Sequence, residues 1–166
     1  MTYGAYVAKL LREANDNDPE IVNCQLEKLG HGMGMKMADE FFARQSTPQA
    51  QCKDFRTTVD IISKQAFRVF LNITAEVEKY DEKSKGCFLV FRENPFAEFV
   101  ILPSSCVSTL WYSNVICGMI RGALEAVGII VEAYFERDVL RGDDATVVRL
   151  KFIKVLKAKD DIKNEE

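Results

Sequence analysis

Histidine is almost missing from this chain. His31 is the only one among 166 residues, so a zinc site built on paired imidazoles is excluded. Five cysteines are present, Cys24, Cys52, Cys87, Cys106 and Cys117. No two of them stand in Cys-x-x-Cys spacing and their number is odd, which argues against both a cysteine metal cluster and a closed disulfide framework. No metal is expected, and reduced thiols in a cytoplasmic setting are the expectation. There is no excess of base either: 22 Lys and Arg against 25 Asp and Glu give a net charge of −3. That excludes a nucleic-acid binder resting on a general basic field. Long uninterrupted apolar runs are absent as well. The richest span, from Val115 to Phe135, is broken by Arg121, Glu125 and Glu132, so it does not read as a membrane-crossing helix. The opening MTYGAYVAKLLREA has no basic stretch followed by an apolar one, so no signal peptide is expected. Neither a Gly-x-x-x-x-Gly-Lys phosphate loop nor Gly-x-Ser-x-Gly occurs.

What is present is apolar side chain: 48% of the residues are hydrophobic, enough for one core in one domain. Tyr3, Tyr6, Val7, Leu10, Leu11 and Ala14 recur at helical spacing. Asp18-Pro19 restarts a helix with an acid cap and proline at its first position, and Val22, Leu26, Leu29, Met33, Met37 and Phe41 lie on one face. Asp54 caps a third helix with the stripe Phe55, Val59, Ile62, Ala66 and Val69. Strands are predicted over 73–80 and 87–91, then a long helix from about Ser108 to Val127 stopped by Gly128. Two alternating strands follow around Val131–Phe135 and Val148–Phe152, joined at Arg141–Asp144. Acids on the first and bases on the second suit cross-strand pairing. Three helices, two strands, a helix and two strands make an α+β domain with an antiparallel sheet. It is placed at residues 1–156, with a mobile charged tail at 157–166.

Cys52 stands just ahead of the Asp54 cap, beside Lys53. A helix N-terminus and a lysine both favour thiolate, which would suit Cys52 to accept an acyl group. The other reading is a small residue packed in the core, and position alone leaves both open. GHGMGMKM, Gly30 to Met37, offers one imidazole and three thioethers, a soft metal-ligand set. Its glycines read better as a close helix-packing face, with Met33 and Met37 continuing the apolar stripe. Gly118, Gly122 and Ala126 form a similar groove on the long helix, where Arg121 and Glu125 stand one turn apart and suit pairing. Gly142–Asp144 reads as a hairpin tip rather than a metal-binding pair of acids. The one base that a Cys52 nucleophile could recruit, His31, is placed mid-helix, so no enzyme activity is expected.

Four segments in order, TYGAYVAKLL, CKDFRTTVDII, ENPFAEFVILP and YSNVICGMIRGALEAV, resemble the small-subunit family of the transport protein particle, TRAPP. Within it they are most similar to the subunit with a buried S-acylated cysteine. The resemblance implies an α/β plait with a four-stranded antiparallel sheet against helices, and N-terminal helices that form a dimer interface. It implies a homodimer in isolation, heterodimers with other small subunits, and contact with a Rab-family GTPase through the complex. The implied role is as a scaffold in ER-to-Golgi vesicle tethering. The complex would promote Rab nucleotide exchange, in the cytoplasm at the periphery of Golgi and endoplasmic reticulum membranes. It implies no catalytic cofactor but a covalent palmitate on Cys52, in a channel lined by Ala66. Phe55, Val59 and Ile62 are added to that lining from the stripe. Gln51 stands where the family often has a basic residue, so thiol activation would rest on Lys53 and the helix dipole. Two other readings remain: a free fatty-acid or small apolar ligand-binding dimer, and a thiol acyltransferase.

Overall fold

A computed structural model describes residues 2–14, 18–44, 52 and 54–156. The first two helices each start at a side-chain cap, the second at the Asp18 expected from the sequence. The Thr2 hydroxyl accepts from the Ala5 amide at 3.3 Å and opens α1, Tyr3–Glu13. The Asp18 carboxylate accepts from the Glu20 amide at 3.1 Å and opens α2, Pro19–Arg44. Asp54 caps α3, Phe55–Ile61, by accepting from both the amide and the hydroxyl of Thr57. The helix continues through a π turn at Ile62–Ala66 into α4, Phe67–Leu71, which ends at left-handed Asn72.

That π turn changes which residues are buried. Each turn of i→i+5 bonding holds an extra residue, so the helix face beyond it is rotated by about 100°. A regular helix would bury Ala66 and Val69 below Ile62. Instead Phe67 is buried and Val69 is 39% exposed.

Strands β1, Glu76–Asp81, and β2, Gly86–Phe91, come next. A chain of turns occupies most of residues 95–114 before α5, Val115–Ala126. The expected start of this helix near Ser108 is thus about two turns early. The reason is Asn23 of α2. Its side chain donates to the Thr109 carbonyl at 3.0 Å and accepts from the Trp111 amide at 2.8 Å, while the Asn114 side chain donates to the Asn23 carbonyl at 2.8 Å. Backbone groups needed for helical bonds at 109–111 are thereby taken. Gly128, with φ +82°, ends α5 as expected. Strands β3, Ile129–Arg137, and β4, Thr146–Val155, close the domain. Leu156 follows, and the residues assigned to a mobile tail lie outside those described.

The strands form one antiparallel sheet in the order β1-β2-β4-β3. Alternation assigns its faces. Leu150 sits between Cys87 and Ala133 on the inner face, and Arg149 between Phe88 and Tyr134 on the outer. The expected cross-strand charge pairing is present: Arg149 meets Glu136 at 3.3 Å and Lys151 stands opposite Glu132. Between β3 and β4, Gly142 is left-handed and the Asp143 carboxylate accepts from the Asp138 amide at 2.8 Å. The acids of this segment therefore stabilise a turn.

The main core lies between the inner sheet face and α3, α4 and α5. A second cluster joins α1, the start of α2 and the turns around Leu110. The two long helices α2 and α5 lie unusually close. A Cβ on Gly30 would fall 2.0 Å from the Val115 carbonyl oxygen, and one on Gly34 2.1 Å from that of Met119. From the other side, Gly118 and Gly122 face the Glu27 and His31 carbonyls equally closely. The contacts advance together along both helices, so the two run parallel. Charged groups on α5 pair outward to α2: Arg121 with Glu27, and Glu125 with His31 at 2.7 Å. The expected Arg121–Glu125 pair is thus replaced by two interhelical ones. Met33, expected on the buried stripe, is 39% exposed, because the glycine row faces α5 and a helix has only one such face.

This contact predicts opposite effects for two equal substitutions. Gly122→Ala lowers the free energy of unfolding by at least about 1–3 kcal/mol, because the methyl group meets backbone that cannot yield. Gly32→Ala, where nothing lies within 4 Å of the new atom, raises it by about 0.5–1 kcal/mol. Urea denaturation of both variants checks the sign of each.

Candidate functional site

Where the glycine row ends, α2 and α5 begin to wall a cleft with α3, the π turn and α4. Gly34 and Ala123 belong to both features; Met37, Ala38, Phe41 and Phe42 continue the α2 wall, and Met119 and Val127 the α5 wall. Ile62, Ala66, Phe67, Phe70 and Leu71 supply the third side. The cavity between these walls measures only about 60 Å³ although eighteen residues line it. The void is therefore slender. Apart from Cys52 and Thr58, the lining side chains are apolar or absent, so water there has few partners and a hydrocarbon chain many.

The sequence explains this shape. The π turn keeps Ile62 and Ala66 on the wall and brings Phe67 round beside them. Small side chains at Gly34, Ala38, Ala66 and Ala123 leave the width of the slot open. A helix with larger residues at those points would close it.

Cys52 borders the cleft, half-buried, just before the Asp54 cap. Thr58 lies beside it and donates its hydroxyl to the Asp54 carbonyl at 2.7 Å. The expected thiolate does not follow. Burial pushes the Cys52 thiol above its ordinary range, and the Thr58 hydrogen bond offsets this only in part. Desolvation outweighs the polar help because the wall is hydrocarbon. Lys53, the other expected activator, is outside the described residues. Asp54 moves the opposite way: the Thr57 amide holds its carboxyl below the usual range, so the cap stays ionised through that range and is lost only as the pH falls below it.

Of the residues expected to line a channel, Ile62 and Ala66 share the cleft wall with Cys52. Phe55 and Val59 are not among the lining residues. Both are buried in the main core, where the Phe55 ring lies 5.8 Å from Phe152 and 6.1 Å from Tyr80. The stripe signal could not separate the sheet-facing side of α3 from its cleft-facing side, since both are apolar. Reading the sequence also missed Met119, Ala123 and Val127, which lie on the wide apolar face of α5. Their small or flexible side chains are the only hint. No group of acids, histidines and cysteines able to hold a metal occurs among the described residues, and none of the described helices is long and apolar enough to cross a membrane.

Fold and site together define a class: a two-layer α+β domain in which a thiol borders a slender apolar cleft between helices. The family model for "transport protein particle (TRAPP) component" matches residues 1–151, and the chain belongs to that family. It is 40% identical over 157 residues to the transport protein particle subunit bet3 of Schizosaccharomyces pombe, covering 95% of this chain and 83% of the relative. To the trafficking protein particle complex subunit BET3 of Saccharomyces cerevisiae it is 36% identical, covering 95% and 80%. A crystal structure of a trafficking protein particle complex subunit 3 from Naegleria fowleri, covalently bound to palmitic acid, superposes with a TM-score of 0.90 at 39% identity, covering 95% of both chains.

The raised thiol range has a consequence for reactivity. Thiolate is the reacting form, so alkylation of Cys52 by iodoacetamide reaches half its maximal rate at a pH above the roughly 8.5 of a free cysteine. Peptide-resolved mass spectrometry across a pH series measures this; a midpoint near or below neutrality contradicts the desolvated site.

Proposed function

We propose that this chain is a scaffold subunit of a TRAPP vesicle-tethering complex and that Cys52 carries a long S-acyl chain, palmitate, lying in the cleft. The observation that carries the acyl reading is the meeting of a single thiol with a slender, almost wholly apolar void bordered by Ile62 and Ala66. Palmitate covalently bound to the Naegleria relative supports it. A buried chain of about sixteen carbons at roughly 0.8 kcal/mol per methylene grosses about 12 kcal/mol. Enclosed in the protein, that gain stabilises the fold; extended into a bilayer, one chain anchors only marginally. The lipid is therefore structural.

The role in transport is the family's. The subunit acts in ER-to-Golgi tethering, at the periphery of those membranes, and contributes to Rab GTPase nucleotide exchange only within the assembled complex. Its N-terminal helices pair it with a second copy or with other small subunits. The exposed apolar residues of α2, Ile21, Leu29, Met33 and Met35, support pairing there. It is not an enzyme in this reading. Cys52 is desolvated, and His31 is engaged with Glu125 at the α2–α5 contact. A free apolar ligand held in the same cleft is the second reading, because the void itself does not require a covalent bond.

Intact mass and thermal melting separate these readings. Wild type isolated from its own cells carries an acyl mass, and Cys52→Ser loses it and melts at a lower temperature. Ala123→Leu, which keeps the thiol but fills the opposite wall, also loses acyl mass. Acyl mass that persists noncovalently in Cys52→Ser indicates the ligand-binding module, and its transfer to added nucleophiles indicates a transferase. Unmodified wild type with a melting temperature equal to that of Cys52→Ser overturns the acyl reading.

A further inference from the structure

The turns between β2 and α5 hold two large apolar side chains almost wholly in water. Phe99 is 97% exposed and Ile101 is 93%, whereas the next most exposed large hydrophobic residue described, Val155, is 59%. Their neighbours are not exposed in this way. Phe96 packs edge-on against Tyr3 at 4.9 Å, and Val100 and Leu102 pack onto the cluster formed by α1 and α2. The segment therefore alternates: some apolar residues are drawn in and two are left out.

The outward pose is built into the backbone. Asn94, buried, donates to the Ser113 hydroxyl at 2.8 Å and accepts from the Phe96 amide at 3.0 Å. Its carbonyl accepts from the Ala97 amide, and the Ala97 carbonyl accepts from Val100. Phe99 itself has φ +60°, a left-handed conformation unfavourable for a bulky side chain. A loop free to relax would avoid both this strain and the exposure of the ring. Strain held in place by surrounding bonds marks sites of function, and a fixed aromatic anchor loses little freedom on binding.

The charge beside the tip selects the partner. Glu98, next to Phe99 in the chain, is exposed and forms no ion pair with another described residue. Glu93 lies elsewhere, beside exposed Arg92 in a hollow that both share with Arg68. An acid at the tip opposes an anionic membrane surface, which attracts bases. It complements lysine or arginine on a protein.

We propose that Phe99 and Ile101 insert into an apolar socket on a partner protein, with lysine or arginine at its rim meeting Glu98. This site is separate from Cys52 and does not depend on the acyl reading. The test replaces Phe99 with photoreactive p-benzoylphenylalanine in the full chain, purified with its bound partners, irradiated, and sequenced at the crosslinked peptide. The expected crosslink joins one protein segment whose apolar residues are flanked by lysine or arginine. Reversing the acid, Glu98→Lys, lowers its yield about tenfold while the melting temperature is unchanged. Crosslinks to lipid, to a second copy of this chain, to many unrelated segments or to nothing overturn the proposal, as does a yield indifferent to the charge reversal.

Discussion

The close parallel contact of α2 and α5 is the constraint on which the remaining structure depends. Four glycines, Gly30 and Gly34 on one helix and Gly118 and Gly122 on the other, leave no room for a Cβ between the two backbones. Neither helix can be rotated, because any other face would bring a side chain into the contact. The rotation fixes the rest: Ile116, Ile120 and Leu124 point into the core, Met119, Ala123 and Val127 toward the third helix, and Ile21, Leu29 and Met33 outward. The pairs Arg121–Glu27 and Glu125–His31 then bridge the two helices along their exposed side.

The cleft follows from that contact and from the π turn. The glycine row holds α2 and α5 together at one end of the slot, and the third helix approaches them along its length. The extra residue of the π turn swings Phe67 onto the wall while Val69 leaves it. What remains is a narrow apolar void with one thiol at its border. Its chemistry is set by desolvation. The same hydrocarbon wall that would welcome an acyl chain keeps Cys52 protonated, so the site is better suited to holding a chain than to repeated nucleophilic attack.

Much of this was legible in the residues. Caps at Asp18 and Asp54, the stop at Gly128 and the alternation in β3 and β4 are local signals, and local hydrogen bonding or steric exclusion satisfies them in the fold. The α+β class and the antiparallel sheet follow from their order. The misses share a cause, since each depends on a contact distant in sequence. Asn23 delays α5 from 86 residues away. Arg121 and Glu125 pair with α2 rather than with each other. Phe55 and Val59 belong to an apolar stripe that serves two neighbours, and only packing decides that they face the sheet while Ile62 and Ala66 face the cleft. Cys52 was singled out by position and borders the cleft, but the sign of its titration was not legible, because it is set by burial.

The central claim is that the void beside Cys52 is the resting place of a chain bonded to its sulfur. A crystal structure of the protein isolated from its own cells tests this most directly. Electron density should run unbroken from the Cys52 Sγ along the cleft, past Ile62 and Ala66 toward Ala123, with no break at the thioester. A bare Sγ beside an empty cleft, or a molecule in the cleft with no bond to the sulfur, would contradict it.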